Sequence, residues 1–160
     1  MMRQSLASLF AVLLCGCAMT TAPPVADVLT PRELNTHAEQ YDGREVAVRG
    51  FVVLGTNGRS LYQSKERFEE FGRDFYAQPP GFNAADFDAD CLTMLNARLV
   101  EQNFSVFDGQ TITVRGRFMR NYMTGNVLDL QACGRNAFVL DAQDTRRVLK
   151  ALRHAAITSR

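Results

Sequence analysis

The chain has 160 residues, of which 46% are hydrophobic and 22% are charged, and its formal net charge is +1. This composition excludes a disordered or collagen-like chain, and the balanced charge creates no global field that would attract nucleic acid. Residues 17–160, which remain after the processing described below, suffice for one domain with a hydrophobic core and are too few for two.

The N-terminus has the pattern of a secretory signal peptide over residues 1–16. Arg3 precedes the mainly apolar run 5–14, which is too short to span a bilayer as a helix. Leu14-Cys15-Gly16-Cys17 follows, and it resembles the lipobox of bacterial lipoproteins. The resemblance implies cleavage before Cys17, with acyl chains on the Cys17 thiol and on the new amino group. The alternative is a secreted protein in which Cys17 is not modified.

Acylation of Cys17 would make the lipid bilayer a partner of this protein. Two or more acyl chains anchor a protein stably, because each buried CH₂ contributes about 0.8 kcal/mol. Gram-negative lipoproteins that stay in the inner membrane usually have Asp after the lipidated cysteine, whereas this chain has Ala18. We therefore expect the outer membrane, facing the periplasm, with residues 17–28 as a lipidated tether.

A helix start and a repeated strand pattern follow the tether. Thr30, Pro31 and Glu33 form the signature of a capped helix N-terminus. Segments 41–52 and 107–118 then share one pattern: an aromatic residue, Asp-Gly, two residues, alternating apolar residues and Arg-Gly. We expect Asp-Gly to form a turn in which Asp bonds its own backbone, and the alternation predicts a strand after each turn.

Further elements are predicted along the rest of the chain. Strands are predicted at 45–54, 60–63, 91–95, 111–120 and 127–132, and the last of them can continue towards residue 140. Helices are predicted at 65–72, 96–103 and 145–156, and Asp144 is expected to begin the last helix. Gly72 is expected to end the first of these helices. Gly50 and Gly116 fall in mid-strand, where a barrel strand bends sharply.

The order strand, strand, strand, helix, strand, strand resembles that of OB-fold domains. The resemblance implies a mainly β fold with flanking helices, in which a five-stranded Greek-key barrel occupies residues 29–141. A basic C-terminal helix follows within 142–160. Its apolar residues indicate docking on its own domain, and contact of its basic residues with anionic lipid is the alternative.

Cys91 and Cys133 are the two cysteines downstream of Cys17. An even pair in an exported protein predicts a disulfide, and the OB order places the third and fifth strands side by side. Two buried free thiols are the alternative.

Asp86, Asp88 and Asp90 are spaced like the start of a calcium loop, but Cys91 and Ala97 stand where glycine and glutamate are needed. We expect a solvated acidic loop there. The sequence indicates no metal site and no cofactor.

Candidate ligand-binding residues follow from the OB resemblance. Such folds bind ligands with strands two and three and the adjoining loops, which selects Arg59, Tyr62, Arg120 and Tyr122. Tyrosine rings stack on planar groups, and arginine pairs with phosphate or carboxylate. The alternative is that these residues merely cover the barrel rim.

Catalytic chemistry has no comparable support. The two histidines, His37 and His154, lie outside any nucleophile motif, and no catalytic residue is indicated. The leading hypothesis is a lipid-anchored envelope protein that acts by binding, as a structural or accessory component, with an envelope protein or an anionic ligand as partner. Nucleic acid is not expected in the envelope. The alternatives are a periplasmic module for a small or oligomeric anionic ligand, and a hydrolase that uses residues 64–89.

Overall fold

The computed structural model describes residues 27–55, 58–123 and 133–158. The elements are β1 (Val28–Leu29), α1 (Pro31–Thr36), α2 (Ala38–Tyr41), β2 (Glu45–Gly55), β3 (Gly58–Tyr62), α3 (Lys65–Ala77), a 3₁₀ helix (Ala84–Asp90), β4 (Cys91–Leu95), α4 (Arg98–Gln102), α5 (Phe104–Phe107), β5 (Thr111–Met119), β6 (Ala137–Leu140) and α6 (Ala142–Thr158). The predicted signal peptide, Cys17 and the strand residues 127–132 lie outside the described residues.

Five strands close into a barrel in the order β2, β3, β4, β6, β5, because β2 pairs with both β3 and β5. The β4–β6 pair is parallel and the other neighbours in the barrel are antiparallel. β1 lies outside the barrel, parallel to β2. This arrangement confirms the predicted OB-like barrel. Helices hold about 46% of the described residues and strands about 30%, so the flanking helices are larger than the sequence indicated.

The two repeated segments form β2 and β5, which are antiparallel neighbours. The Asp42 carboxylate accepts a 2.9 Å hydrogen bond from the N–H of Arg120, and the Asp108 carboxylate accepts a 2.8 Å bond from the N–H of Leu54. The prediction that each aspartate bonds its own turn is therefore wrong. Because β2 and β5 are antiparallel, the end of β5 lies beside the turn that precedes β2, and the end of β2 lies beside the turn that precedes β5. Each aspartate therefore bonds the backbone at the end of the neighbouring strand.

Gly50 and Gly116 allow the barrel strands to approach closely. A Cβ atom on Gly50 would lie 2.6 Å from Cγ of Leu61 and 2.8 Å from the carbonyl oxygen of Tyr62. A Cβ on Gly116 would meet the carbonyl oxygen of Val139 even more closely. Side chains at either position would push β3 or β6 away, so the closed barrel requires glycine there.

Alternating strand residues fill the barrel interior, and they are 1% exposed or less. They include Val48, Val52, Leu61, Leu92, Met94, Val114, Phe118 and Phe138. Leu34 of α1, Phe107 of α5 and Leu149 of α6 join this core. The predicted capping box of α1 is confirmed, since the Glu33 carboxylate accepts the Thr30 N–H at 2.7 Å and the Thr30 hydroxyl accepts the Glu33 N–H.

Two helix boundaries differ from the prediction. α3 continues past Gly72, where a Cβ atom would meet nothing within 4 Å, and ends in the left-handed residue Gln78 before Pro79. α6 is opened by Asp141 rather than Asp144, because the Asp141 carboxylate accepts the N–H of Asp144 at 2.6 Å.

Candidate binding surface on helix α3

A second apolar cluster lies on the outer face of β2, β3 and β4. Strand alternation directs Phe51 and Tyr62 outward, where they pack with Cys91 and Cys133. Phe68 of α3 covers this cluster, with ring centroids 6.2 Å from Phe51 and 5.0 Å from Tyr62. The face that binds ligands in OB-folds is therefore covered by α3 in this protein.

The disulfide between Cys91 and Cys133 is confirmed, with their Cα atoms 5.3 Å apart. It joins the first residue of β4 to the segment that precedes β6. Both sulfur-bearing residues are 1% exposed and belong to the outer cluster. The cross-link thus fixes the barrel wall on which α3 rests.

Asp90 is the buried anchor of the segment between β3 and β4. The sequence predicted a solvated acidic loop, but the Asp90 side chain is 0% exposed. Its carboxylate accepts hydrogen bonds from Nε of Arg32 at 2.7 Å and from Nε of Arg67 at 2.8 Å, and each guanidinium adds a second contact. Two arginines compensate the buried charge, and the pairing joins α1, α3 and the 3₁₀ helix.

Arg67 also contacts two further side chains of this segment. Its guanidinium lies 2.5 Å from the carboxylate of Glu70 and 4.7 Å from the ring centre of Phe87. Burial lowers the pKa of Arg67, but hydrogen bonds to Asp90 and Glu70 outweigh this effect and raise the pKa above its ordinary value. Arg67 is therefore a fixed cation that holds α3 against the 3₁₀ helix.

An aromatic surface extends from this anchor to solvent. We define it by Phe71, Phe75, Tyr76, Phe82 and Phe87, whose neighbouring ring centroids are 5.3–6.4 Å apart. Phe87 is only 7% exposed, whereas Phe75 is 46% and Tyr76 is 87% exposed. Contiguous exposed aromatic rings of this kind mark sites of interaction.

The four predicted ligand-binding residues occupy separate places. Arg59 and Tyr62 lie at opposite ends of β3, whereas Arg120 and Tyr122 follow β5. Arg59 pairs with a carboxylate of α4 at 3.0 Å, and Arg120 pairs with a carboxylate of α2 at 2.8 Å. Among the described residues, no hydrogen bond or ion pair connects the β3 pair with the pair after β5.

The two tyrosines of that set are not presented to solvent as stacking platforms. Tyr62 is 2% exposed beneath Phe68, and burial raises the pKa of Tyr62 to about 12. Tyr122 is half-buried, and within residues 27–55, 58–123 and 133–158 its buried hydroxyl has no hydrogen-bond partner. A ligand could stack on the Tyr62 ring only if α3 moved away.

Sequence reasoning missed the aromatic surface and the role of Asp90. The spacing of Phe68, Phe71 and Phe75 places them on one helical stripe, and this pattern was the available signal. The partners of Asp90 left no comparable signal, because Arg32 and Arg67 are 58 and 23 residues away in sequence.

No family model, curated protein or solved structure matches this chain. In the part of the chain that the structure describes, no group of three or more His, Cys, Asp or Glu side chains is arranged to hold a metal ion. Across the same residues, no helix combines the length and the apolar character that crossing a membrane requires.

Proposed function

We propose that this protein is a lipid-anchored component of the bacterial cell envelope that acts by binding another envelope protein through its aromatic surface. The observation that carries the proposal is the exposure of Phe75 and Tyr76 on a helix fixed to the barrel by Asp90. The disulfide supports the location, because such bonds persist in oxidising compartments such as the periplasm. Acylation of Cys17 would supply the anchor.

The charges of α3 support a protein as the occupant of this surface. Glu66, Glu69, Glu70 and Asp74 lie on the same helix as the exposed rings. The cation Arg67 is already engaged by Asp90, and a hydrogen bond from Ser64 lowers the pKa of Glu66, which keeps it ionised. Lys65 and Arg73 lie on the same helix and pair with Glu69 and Asp74, so positive and negative side chains alternate around the exposed rings. An apolar centre with a polar border of both charges is the anatomy of a protein–protein contact, so we take a protein as the occupant.

A photo-crosslinking amino acid tests the surface in the full-length, lipidated protein in its own envelope. We expect the probe at Phe75 to give a discrete protein adduct. The matched control is Phe104 on α5, which is 49% exposed and therefore as accessible as Phe75. Adducts of equal yield at positions 75 and 104, or no adduct at position 75, would contradict the proposal.

The anchor is tested separately. Cys17→Ser removes the acyl acceptor and should release the protein from the membrane fraction. Density-gradient separation of the two membranes should place the unmodified protein with the outer membrane, as Ala18 indicates. Retention of Cys17→Ser in the membrane fraction would refute the anchor while leaving the crosslinking result interpretable.

A further inference from the structure

A hollow of about 230 Å³ lies between α4 and α6, on elements that the aromatic surface does not use. Arg98 and Gln102 line it from α4, where a spacing of four residues places them on one helical face. Arg146 lines it from α6, and Leu99 contributes an apolar side chain. Two exposed arginines from different helices therefore line the same hollow.

Neither guanidinium has a carboxylate within 4 Å among the residues that the structure describes. The nearby carboxylates are engaged elsewhere. Glu101 pairs with Arg59 at 3.0 Å, and Asp144 pairs with Arg147 at 2.8 Å. Asp141 accepts the first backbone hydrogen bonds of α6. Among the described residues, neither positive charge beside the hollow is therefore neutralised by an ion pair.

The frame of the hollow is held in place by hydrogen bonds. Asn96, which lines it, has a left-handed backbone (φ 54°), and its side-chain amide donates to the carbonyl oxygen of Leu140 at 3.0 Å. Thr145 is 3% exposed and its hydroxyl donates to the carbonyl oxygen of Asp141 at 2.6 Å. The backbone beside each arginine is thus fixed before any ligand arrives, which lowers the entropy cost of binding.

We propose that this hollow binds a phosphate group, with Arg98 and Arg146 as its two charged ligands. The planar guanidinium fork matches two phosphate oxygens, and charge-assisted hydrogen bonds of this kind are stronger than neutral ones. Gln102 also lines the hollow, and its side-chain amide can donate a further hydrogen bond. The ligand is a phosphate ester, either soluble or the headgroup of a lipid. The inference goes beyond the proposed function, because it requires neither the anchor nor the aromatic surface.

Equilibrium dialysis of the full-length protein in detergent against radiolabelled pyrophosphate tests the site. We expect saturable binding, and we expect Arg146→Gln to raise the dissociation constant about tenfold through the loss of charge-assisted hydrogen bonds. Arg98→Gln should have a similar effect. The matched control is Lys150→Gln, which removes one positive charge from an exposed position on the next turn of α6 that does not line the hollow.

An unchanged dissociation constant for Lys150→Gln together with weaker binding for Arg146→Gln would support the site. Equal losses for the two variants would show that only the general positive field of α6 acts, and would overturn the proposal. Absence of saturable binding would also overturn it. Competition then separates the two sources: stronger displacement by glycerol phosphate supports a soluble ester, and stronger displacement by water-soluble short-chain phosphatidylglycerol supports a lipid headgroup.

Discussion

Asp90→Asn should destabilise the protein strongly, because it removes the charge that two arginines share. The Asp90 side chain is 0% exposed and accepts contacts from Arg32 and Arg67. A hydrogen bond to a charged group contributes roughly 1.5–3 kcal/mol, but the Arg32 side chain is 52% exposed and water replaces much of its share. Asparagine keeps one acceptor oxygen for Arg67. We therefore expect a loss of about 3 kcal/mol, at the lower end of the range for breaking a buried ion pair.

Urea unfolding followed by far-ultraviolet circular dichroism measures this loss, with the slope m expected to stay unchanged. The matched control is Asp86→Asn, an exposed position of the same 3₁₀ helix, for which we expect a change within about 0.5 kcal/mol. A loss below about 1 kcal/mol for Asp90→Asn, or equal losses for the two variants, would refute the view that Asp90 anchors α3.

Three further predictions concern the barrel and its covered face. Gly116→Ala should lower the free energy of unfolding by roughly 1–3 kcal/mol, because the added Cβ would collide with the backbone of β6. Gly72→Ala is the control: its Cβ would meet open space, so we expect it to stabilise the protein by about 0.5–1 kcal/mol. A stabilising effect at both positions would contradict the close approach of β5 and β6 at Gly116. Replacing Cys91 and Cys133 together by alanine should lower the free energy of unfolding by up to about 4 kcal/mol, because the disulfide closes a loop of 42 residues and so restricts the unfolded chain. An unchanged melting temperature would argue against the cross-link. Burial raises the pKa of Tyr62 from 10.0 to about 12, so the folded state favours the neutral phenol and the free energy of unfolding should fall as the pH rises from about 10 to 12. Tyr62→Phe should lose that part of the pH dependence. An identical pH profile for this variant would contradict the burial of Tyr62 as its cause.

Local pattern predicted much of the barrel. The capping box at Thr30 and Glu33 involves residues three positions apart, so the sequence displays both partners together. Strand alternation placed Val48 and Val114 inside and Arg49 and Arg115 outside, as the structure shows. These features are recoverable because the backbone periodicity of helices and strands is short.

The candidate surface was less predictable, because its parts come together only after the chain has folded. Within the segment 64–89 the sequence predicted a helix only over 65–72, because Gly72 and the following prolines suggested that the helix ended there. Gly72 instead lies within α3, where contacts of Phe68 and Phe71 offset the weak helix propensity of glycine. Neighbours in space, rather than in sequence, determined this helix.

The sequence by itself determined the barrel strands, the turn and strand in each of its two look-alike segments, the cross-linked cysteines and the expectation of an acylated N-terminus. Only the tertiary structure decided that α3 lies on the outer face of β2–β4, that Asp90 is buried between two arginines and that Tyr62 is covered. The physical reason is the separation in sequence between the residues that interact. Turns, caps and strand alternation depend on residues a few positions apart, whereas burial and charge pairing depend on which distant surfaces meet when the barrel closes.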